Sequence, residues 1–427
     1  MRSAYLSWLS DQTTQFSIVM TVPGASKLTD RDLDPYADDP FFKRHTDSTW
    51  NACIGEQGND DNYLDGYIDA ALQLSHIVID HSLLAKRDTL VLPILYNARH
   101  AVELVLKFAT SHLERAGVVP RVSGRPTHNI RVYWERLDSA AVGDEIIGKK
   151  LEVLKPFVDS LSRIDRDGQE LRYPLNQFSD PSLSAYSLAN LQVIRTSLID
   201  LSSTIDILKN RVVSFAEERR TGLFTQRCSR RDLVTIANLM PRREFWRSAS
   251  FDQQKALVKA RFKLSNRQFS LALDAIQSAR ETKAILGIET DLLYLSDDEI
   301  LWTADQWRRI HPKIRERGGP VKVSDQTLLN ELEEEQKEMG SVSDAVQQKI
   351  SGAKLSELEA MFYLGRDGVY PEHFDTFVER KEKEHAAARD PKSEILHLMT
   401  KPNFLHSVTI AATKLGRLSL ATQLSLK

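Results

Sequence analysis

Two cysteines in 427 residues, Cys53 and Cys228, leave no basis for a disulfide framework or for a cysteine-ligated zinc site within the chain. Such sparse cysteine fits a reducing compartment. Long apolar runs are missing as well. No window approaches the roughly 20 apolar residues of a membrane span, and Asp11 and Gln12 interrupt the N-terminal stretch that a signal peptide would need. The expected location is cytoplasmic, with no membrane partner. Nor is there charge of one sign: 57 Lys and Arg face 59 Asp and Glu, for a net charge of −2. That balance excludes a uniformly basic nucleic-acid-binding protein and requires any such site to be local. The phosphate-cradling glycine loop, the paired-ligand metal motif and the nucleophile elbow are all absent. ATPase and serine-hydrolase chemistry therefore drop out, and no metal or other cofactor is implied. No internal repeat or low-complexity tract is present.

What is there is the composition of an ordinary globular protein, 41% hydrophobic and 27% charged, in a chain long enough for two or three domains. Apolar residues recur at helical spacing almost throughout, so the expected fold class is all-α, with an N-terminal antiparallel helical bundle followed by further helical domains. Composition shifts and breakers suggest an N-terminal arm over 1–60, the bundle over 61–221, a second helical domain over 222–317 and a C-terminal one over 318–427. In the arm, 16–22 has the pattern of a short strand and 30–39 is acidic. In the bundle, the spacing predicts helices over 63–85, 89–115 with Pro93 in its first turn, 128–137 capped by Thr127, 144–163, and 183–218. Beyond Gly222, Ser265 and Gln268 form a capping-box pattern, and Gly318, Gly319 and Pro320 mark the next break. Helical segments follow over 354–364, 371–387 and 406–426.

The second of these helices carries the most informative pattern. At 100° per residue, Tyr96, Arg99, His100, Glu103 and Lys107 share one stripe opposite Ala98 and Val102. Arg99 precedes Glu103 by four residues and Glu103 precedes Lys107 by four, so the stripe can be an internally paired, solvated face. Alternatively it is one wall of a site. The start of the third helix can return His128 toward it, and the loop after the fourth, with Asp167, Gly168, Arg172, Tyr173 and Pro174, can close over both.

The string from Leu95 to Lys107, then Thr127 and His128, then Asp167 through Arg172, Tyr173 and Pro174, resembles the HEPN-like proteins of bacteria over roughly 45–215. That resemblance implies a helical bundle, often dimeric, in prokaryotic defence or toxin-type systems. It also implies RNA cleavage without a metal, by an Arg separated from a His by four to six residues. A base or acid handles the ribose 2′-hydroxyl proton and a cation stabilises the charged phosphorus centre. Here Arg99 and His100 are adjacent, which departs from the family's spacing. The spacing matches lie elsewhere, at Arg121 with His128, Arg366 with His373, and Arg380 with His385. The catalytic candidates are accordingly His100 and His128 as acid or base and Arg99 and Arg172 on phosphate. Glu103, Lys107 and Tyr173 are the substrate-binding candidates beside them. His76, His81 and His112 receive no role.

Two further features concern nucleic acid. Between Lys209 and Arg247 there are ten Lys or Arg against four Asp or Glu, with Phe224, Phe245 and Trp246 among them. Such a stretch can track a phosphate backbone while stacking bases, and Arg230 and Arg231 are its substrate-binding candidates. Equally, arginines near helix ends cap carbonyls or join neighbouring domains. The segment 251–279 has two helical runs that fit either a helix-turn-helix or an ordinary helical hairpin, with Phe269, Leu273 and Ile276 facing inward. The expected function is an RNA-directed effector or accessory protein of an anti-phage or toxin-type system, a homo-oligomer with RNA and protein as partners, the latter bound through the C-terminal helices. The alternatives are a non-catalytic scaffold and a DNA-binding regulator using 251–279.

Overall fold

The structure is a computed structural model that describes residues 39–43, 45–54, 60–122, 127–175, 179–311, 325–387 and 391–426. Helical periodicity is realised throughout. Among the described residues there are sixteen α-helices and no strand, only one isolated bridge between Leu175 and Pro181. The all-α expectation therefore holds, while the strand expected over 16–22 and most of the acidic stretch lie outside the described residues. The chain divides into two compact units, Met1–Gly58 and Asn59–Lys427. In the first, a 3-10 turn, Ser48–Trp50, is capped by the Asp47 side chain.

The second unit begins with a group of α1 (Asp60–Asp80), α2 (Arg87–Arg115), α3 (Ile130–Ser139), α4 (Glu145–Ile164) and α5 (Leu191–Arg219). Leu64 and Ile68 of α1, Val102 and Val105 of α2, Leu151 of α4 and Ile205 and Phe215 of α5 meet in one apolar core. The ends of these helices differ from the sequence expectation for identifiable reasons. Ser82, at φ +51°, stops α1 well before residue 85. Pro93 falls in the second turn of α2, not the first. Leu183 also has positive φ, and α5 begins only at Leu191, where the Asn190 side chain accepts hydrogen bonds from the amides of Gln192 and Val193.

The most consequential difference concerns α3. Its cap is Asn129, whose side chain accepts from the Arg131 amide, while Thr127 Oγ1 accepts from the Asn129 amide at 3.1 Å. His128 is thus outside the helix, and its carbonyl stays free of the helical ladder.

A second apolar core gathers α6 (Arg230–Leu239), α7 (Ala249–Arg261), α8 (Asn266–Ser278) and α9 (Arg280–Ile285). The capping box of Ser265 and Gln268 forms at the start of α8, and Phe269, Leu273 and Ile276 face inward as the spacing predicts. The third core belongs to α10 (Asp297–Ile310), α11 (Asp325–Lys349), α12 (Ala353–Arg366), α13 (Phe374–Ala387), α14 (Pro391–Met399), α15 (Phe404–Lys414) and α16 (Leu418–Leu426). The segment 406–426 does not form one helix, because Gly416 turns the chain at φ +75°. There its Cα lies so close to α9 that a Cβ would sit 2.4 Å from the Arg280 carbonyl oxygen. At Gly365 the backbones of α12 and α15 nearly touch: a Cβ would be 1.9 Å from the Ser407 carbonyl oxygen. Glu357 of α12, fully buried, accepts from three successive amides, those of Leu293, Tyr294 and Leu295.

Buried charge ties the first group of helices to the second. Arg211 of α5 donates to Asp144, to Glu218 and to the Ser229 hydroxyl, all at 2.6–3.2 Å. Asp232 of α6 accepts from the amides of Ser229 and Glu145 nearby. Burial, then the neighbouring Asp144 carboxylate, push its carboxyl up to about 7.

This sets a testable pH dependence. A carboxyl whose folded value exceeds its unfolded one contributes stability that is present below about pH 4 and is lost as pH rises through about 7. Asp232→Asn keeps the cap oxygen but has no proton to exchange. Urea unfolding of the two proteins should therefore favour the native chain increasingly as pH falls from 7 to 4, by on the order of a few kcal/mol. A difference independent of pH would contradict the assignment.

Candidate functional site

Helix α2 packs against α1, α3 and α5 at once, so its polar stripe is enclosed rather than solvated. Arg99 and Glu103 are each only 1% exposed. A guanidinium in such a place must have its donors satisfied, since a buried unpaired charge costs several kcal/mol. Three chain segments supply the acceptors. Nε donates to the Asp165 carbonyl at 2.8 Å, Nη1 to Glu103 Oε2 at 2.8 Å, and Nη2 to the His128 carbonyl at 2.6 Å and the Arg166 carbonyl at 3.3 Å.

The Asp165 carboxylate, completely buried, lies 3.7 Å from Arg99 Nε and shapes the turn after α4. It accepts from the amides of Gly168, Glu170 and Leu171. Gly168 adopts φ +85°, and a Cβ there would stand 3.3 Å from Arg99 Nη1. Only glycine combines that dihedral with that approach at no steric cost. The turn then delivers Arg172, whose Nε donates to the Gly168 carbonyl. Its guanidinium lies 5.8 Å from the centre of the Tyr96 ring and 5.5 Å from that of Tyr173.

Glu103 has a second oxygen to place. Its Oε1 accepts from Lys107 Nζ at 2.7 Å and from His128 Nδ1 at 2.8 Å. Burial raises this carboxyl, but the hydrogen bonds from Lys107, Arg99 and His128 outweigh it and hold the group below the usual carboxylate range. An ionised carboxylate only accepts, so Nδ1 of His128 carries a proton, and Nε2 is the ring atom left to exchange one. The His128 side chain is 67% exposed, in contrast to its partner at 2%. Lys107, 30% exposed, also lies over the Tyr133 ring.

His100 takes a different environment. Its ring meets Tyr67 edge-on at 4.3 Å and stacks parallel to Tyr96 at 5.9 Å. Burial lowers its pKa, opposed by the nearby Glu103 carboxylate and reinforced by Arg99, Lys107 and His128, so the imidazole is neutral at pH 7.

The structure thus brings Arg99, His100, Glu103, Lys107, His128 and Arg172 together, with Tyr173 exposed beside Arg172. Within that group Arg99 faces inward and cannot reach a solvent-borne phosphate. Arg230 and Arg231 share no contact with the group. Arg230 is buried between Glu281 and Glu372 and joins α6 to α9 and the turn before α13, whereas Arg231 is exposed. The spaced C-terminal pairs do not form sites of their own kind either: Arg366 pairs with Asp367, Arg380 with Glu384, and His385 turns to Ser356 and Glu359. Asp165, Tyr67 and Tyr133 are members that the stripe did not reveal. The Asp165 to Gly168 spacing, an aspartate accepting from an amide three residues on, is the one local signal for the first.

No family model matches the chain, and no curated protein or solved structure does.

Removing the Glu103 carboxylate leaves Arg99 charged and buried. Glu103→Ala should cost about 3–5 kcal/mol of unfolding free energy in chemical denaturation. His128→Ala, which deletes an exposed partner, should cost less than about 1 kcal/mol. Equal losses in the two variants would contradict this division between a buried frame and an exposed rim.

Proposed function

We propose that the N-terminal bundle is an RNA-directed module that cleaves single-stranded RNA, with His128 as the acid–base group. The observation that carries this reading is the Glu103–His128 pair, in which a buried, ionised carboxylate fixes Nδ1 and leaves Nε2 on an exposed ring with no hydrogen-bond partner among the described residues. A carboxylate that orients an imidazole is the arrangement general-base catalysis requires. Lys107, bonded to Glu103, and Arg172, beside Gly168, are the cations for the phosphate. Tyr96, Tyr133 and Tyr173 offer ring faces for bases.

In the reaction, the ribose 2′-hydroxyl gives its proton to His128 Nε2 as its oxygen attacks the adjacent phosphorus. The bond to the 5′-oxygen breaks, that oxygen takes a proton from water while the proton on His128 passes back to solvent, and the fragments end in a 2′,3′-cyclic phosphate and a 5′-hydroxyl. Arg99 acts as a positioning residue, since it holds the His128 carbonyl. The resemblance to HEPN-like proteins supports the same reading, with a role in anti-phage defence or a toxin-type system, although the Arg and His used here do not follow that family's spacing. The tie between α5 and α6 through Arg211 supports the view that the C-terminal helices carry sensing or partner contacts to the bundle.

Purified protein should cleave single-stranded RNA in the presence of EDTA and leave cyclic phosphate ends. The His128→Ala variant should lose at least about a hundredfold in rate, the scale of a general base, while unfolding at the temperature of the unaltered protein. Arg172→Ala should mainly weaken RNA binding. If His128→Ala cleaves as fast as the parent, or if the parent neither cleaves nor binds RNA, the bundle is a scaffold held together by its polar frame.

A further inference from the structure

Far along the chain from the His128 rim, α12, α13 and α14 bring a second histidine among carboxylates. Ligand atoms of Glu359, His385 and Glu394 all lie within 4.8 Å of one another. We propose that these three side chains bind a divalent transition-metal cation of the zinc class.

The histidine is already oriented as a metal ligand. His385 Nδ1 lies 2.9 Å from the Ser356 hydroxyl and Nε2 lies 2.5 Å from Glu359 Oε2. Ligating histidines characteristically have their second ring nitrogen held by an outer group, which fixes tautomer and ring plane. Here the cation takes the place of the Nε2 proton, which moves to Nδ1, where the Ser356 oxygen accepts it.

Glu359 is 4% exposed on its side chain, and its other oxygen, Oε1, accepts from Lys381 Nζ at 2.9 Å. Lys381 does not compete for the site, because it holds the oxygen that faces away from His385. A metal on Oε2 with an ammonium on Oε1 is the usual outer hydrogen bond of a ligating carboxylate. Lys381 is itself shared with Glu384 at 2.7 Å, so its charge is already divided between two acids.

Glu394 is the telling member. It is half-buried, it points toward His385 and Glu359, and among the described residues it makes no hydrogen bond or ion pair. Donors of a tetrahedral zinc site stand roughly 3–3.5 Å apart, given bonds of about 2.0–2.2 Å. His385 Nε2 and Glu359 Oε2, hydrogen-bonded at 2.5 Å, part slightly to admit the ion, and Glu394, with no partner to give up among the described residues, is the side chain that moves in to complete the set. Two carboxylates and a neutral imidazole make a neutral complex with a doubly charged cation. They leave a fourth position open to water, as in zinc sites with three protein ligands. One nitrogen and two oxygens are too few oxygens for calcium and ill-suited to magnesium, which keeps most of its waters.

The full chain, stripped with a chelator and desalted, should bind one zinc ion per chain in calorimetric titration with zinc chloride and show little response to magnesium chloride. Loss of a direct ligand should exceed the ten- to hundredfold cost of losing an outer partner. Glu394→Gln should therefore weaken zinc binding at least about a hundredfold, and zinc should raise the melting temperature of the parent but not of that variant. His385→Gln should do the same. Because Glu394 has no partner among the described residues, its variant tests the site even if His385→Gln does not fold. His397→Gln, which alters a histidine near Tyr363 outside the triad, should bind like the parent. No zinc binding by the parent, binding retained in Glu394→Gln, or binding lost in His397→Gln would each overturn the proposal.

Discussion

The guanidinium of Arg99 is the constraint on which the bundle depends. It is a permanent cation with five donors in a place water does not reach. Each surrounding segment is placed by the need to feed it an acceptor: the following turn of α2 through Glu103, the residue before the α3 cap through the His128 carbonyl, and the end of α4 through the carbonyls of Asp165 and Arg166. A buried ionic network is not a strong source of net stability, since its Coulombic gain is set against desolvation. What it provides is uniqueness of geometry, because few other arrangements of three segments satisfy the same cation.

The same economy recurs twice. Arg211 collects Asp144, Glu218 and Ser229 where the first and second groups of helices meet. Glu357 does the converse, an anion collecting three amides of the chain before α10. In each case one buried charge fixes the placement of segments that apolar packing alone would leave free to slide. The three apolar cores supply the burial, and these polar centres supply the register between elements.

Much of this was legible before the structure. Helical spacing located the helices, and the 99–107 stripe, His128 and the 168–173 turn do converge on one place. Depth was not legible: four-residue spacing between Arg99, Glu103 and Lys107 is the same for a solvated face and for an interior one, and only the packing of α3 and the 165–172 turn distinguishes them. Helix ends also escaped the sequence, because Ser82 and Leu183 adopt positive φ without being glycine. Thr127 and Asn129 are both competent caps, and the choice of Asn129 is what leaves the His128 carbonyl to Arg99. The basic composition around Arg230 was likewise ambiguous, since a buried partner of Glu281 and Glu372 and an exposed phosphate contact look alike in sequence. The Glu359, His385 and Glu394 group was invisible, its members being spread over three helices with no ligand motif.

His128 is attached to α2 at two points, its carbonyl on Arg99 and its ring on Glu103. Two bonds of such different origin, one to the main chain and one to the side chain, define an orientation without help from the loop that precedes it. The direction of the imidazole is thus set from α2. The ring keeps that direction for as long as Arg99 and Glu103 hold their places, so the geometry of the imidazole is a property of α2 more than of its own stretch of chain.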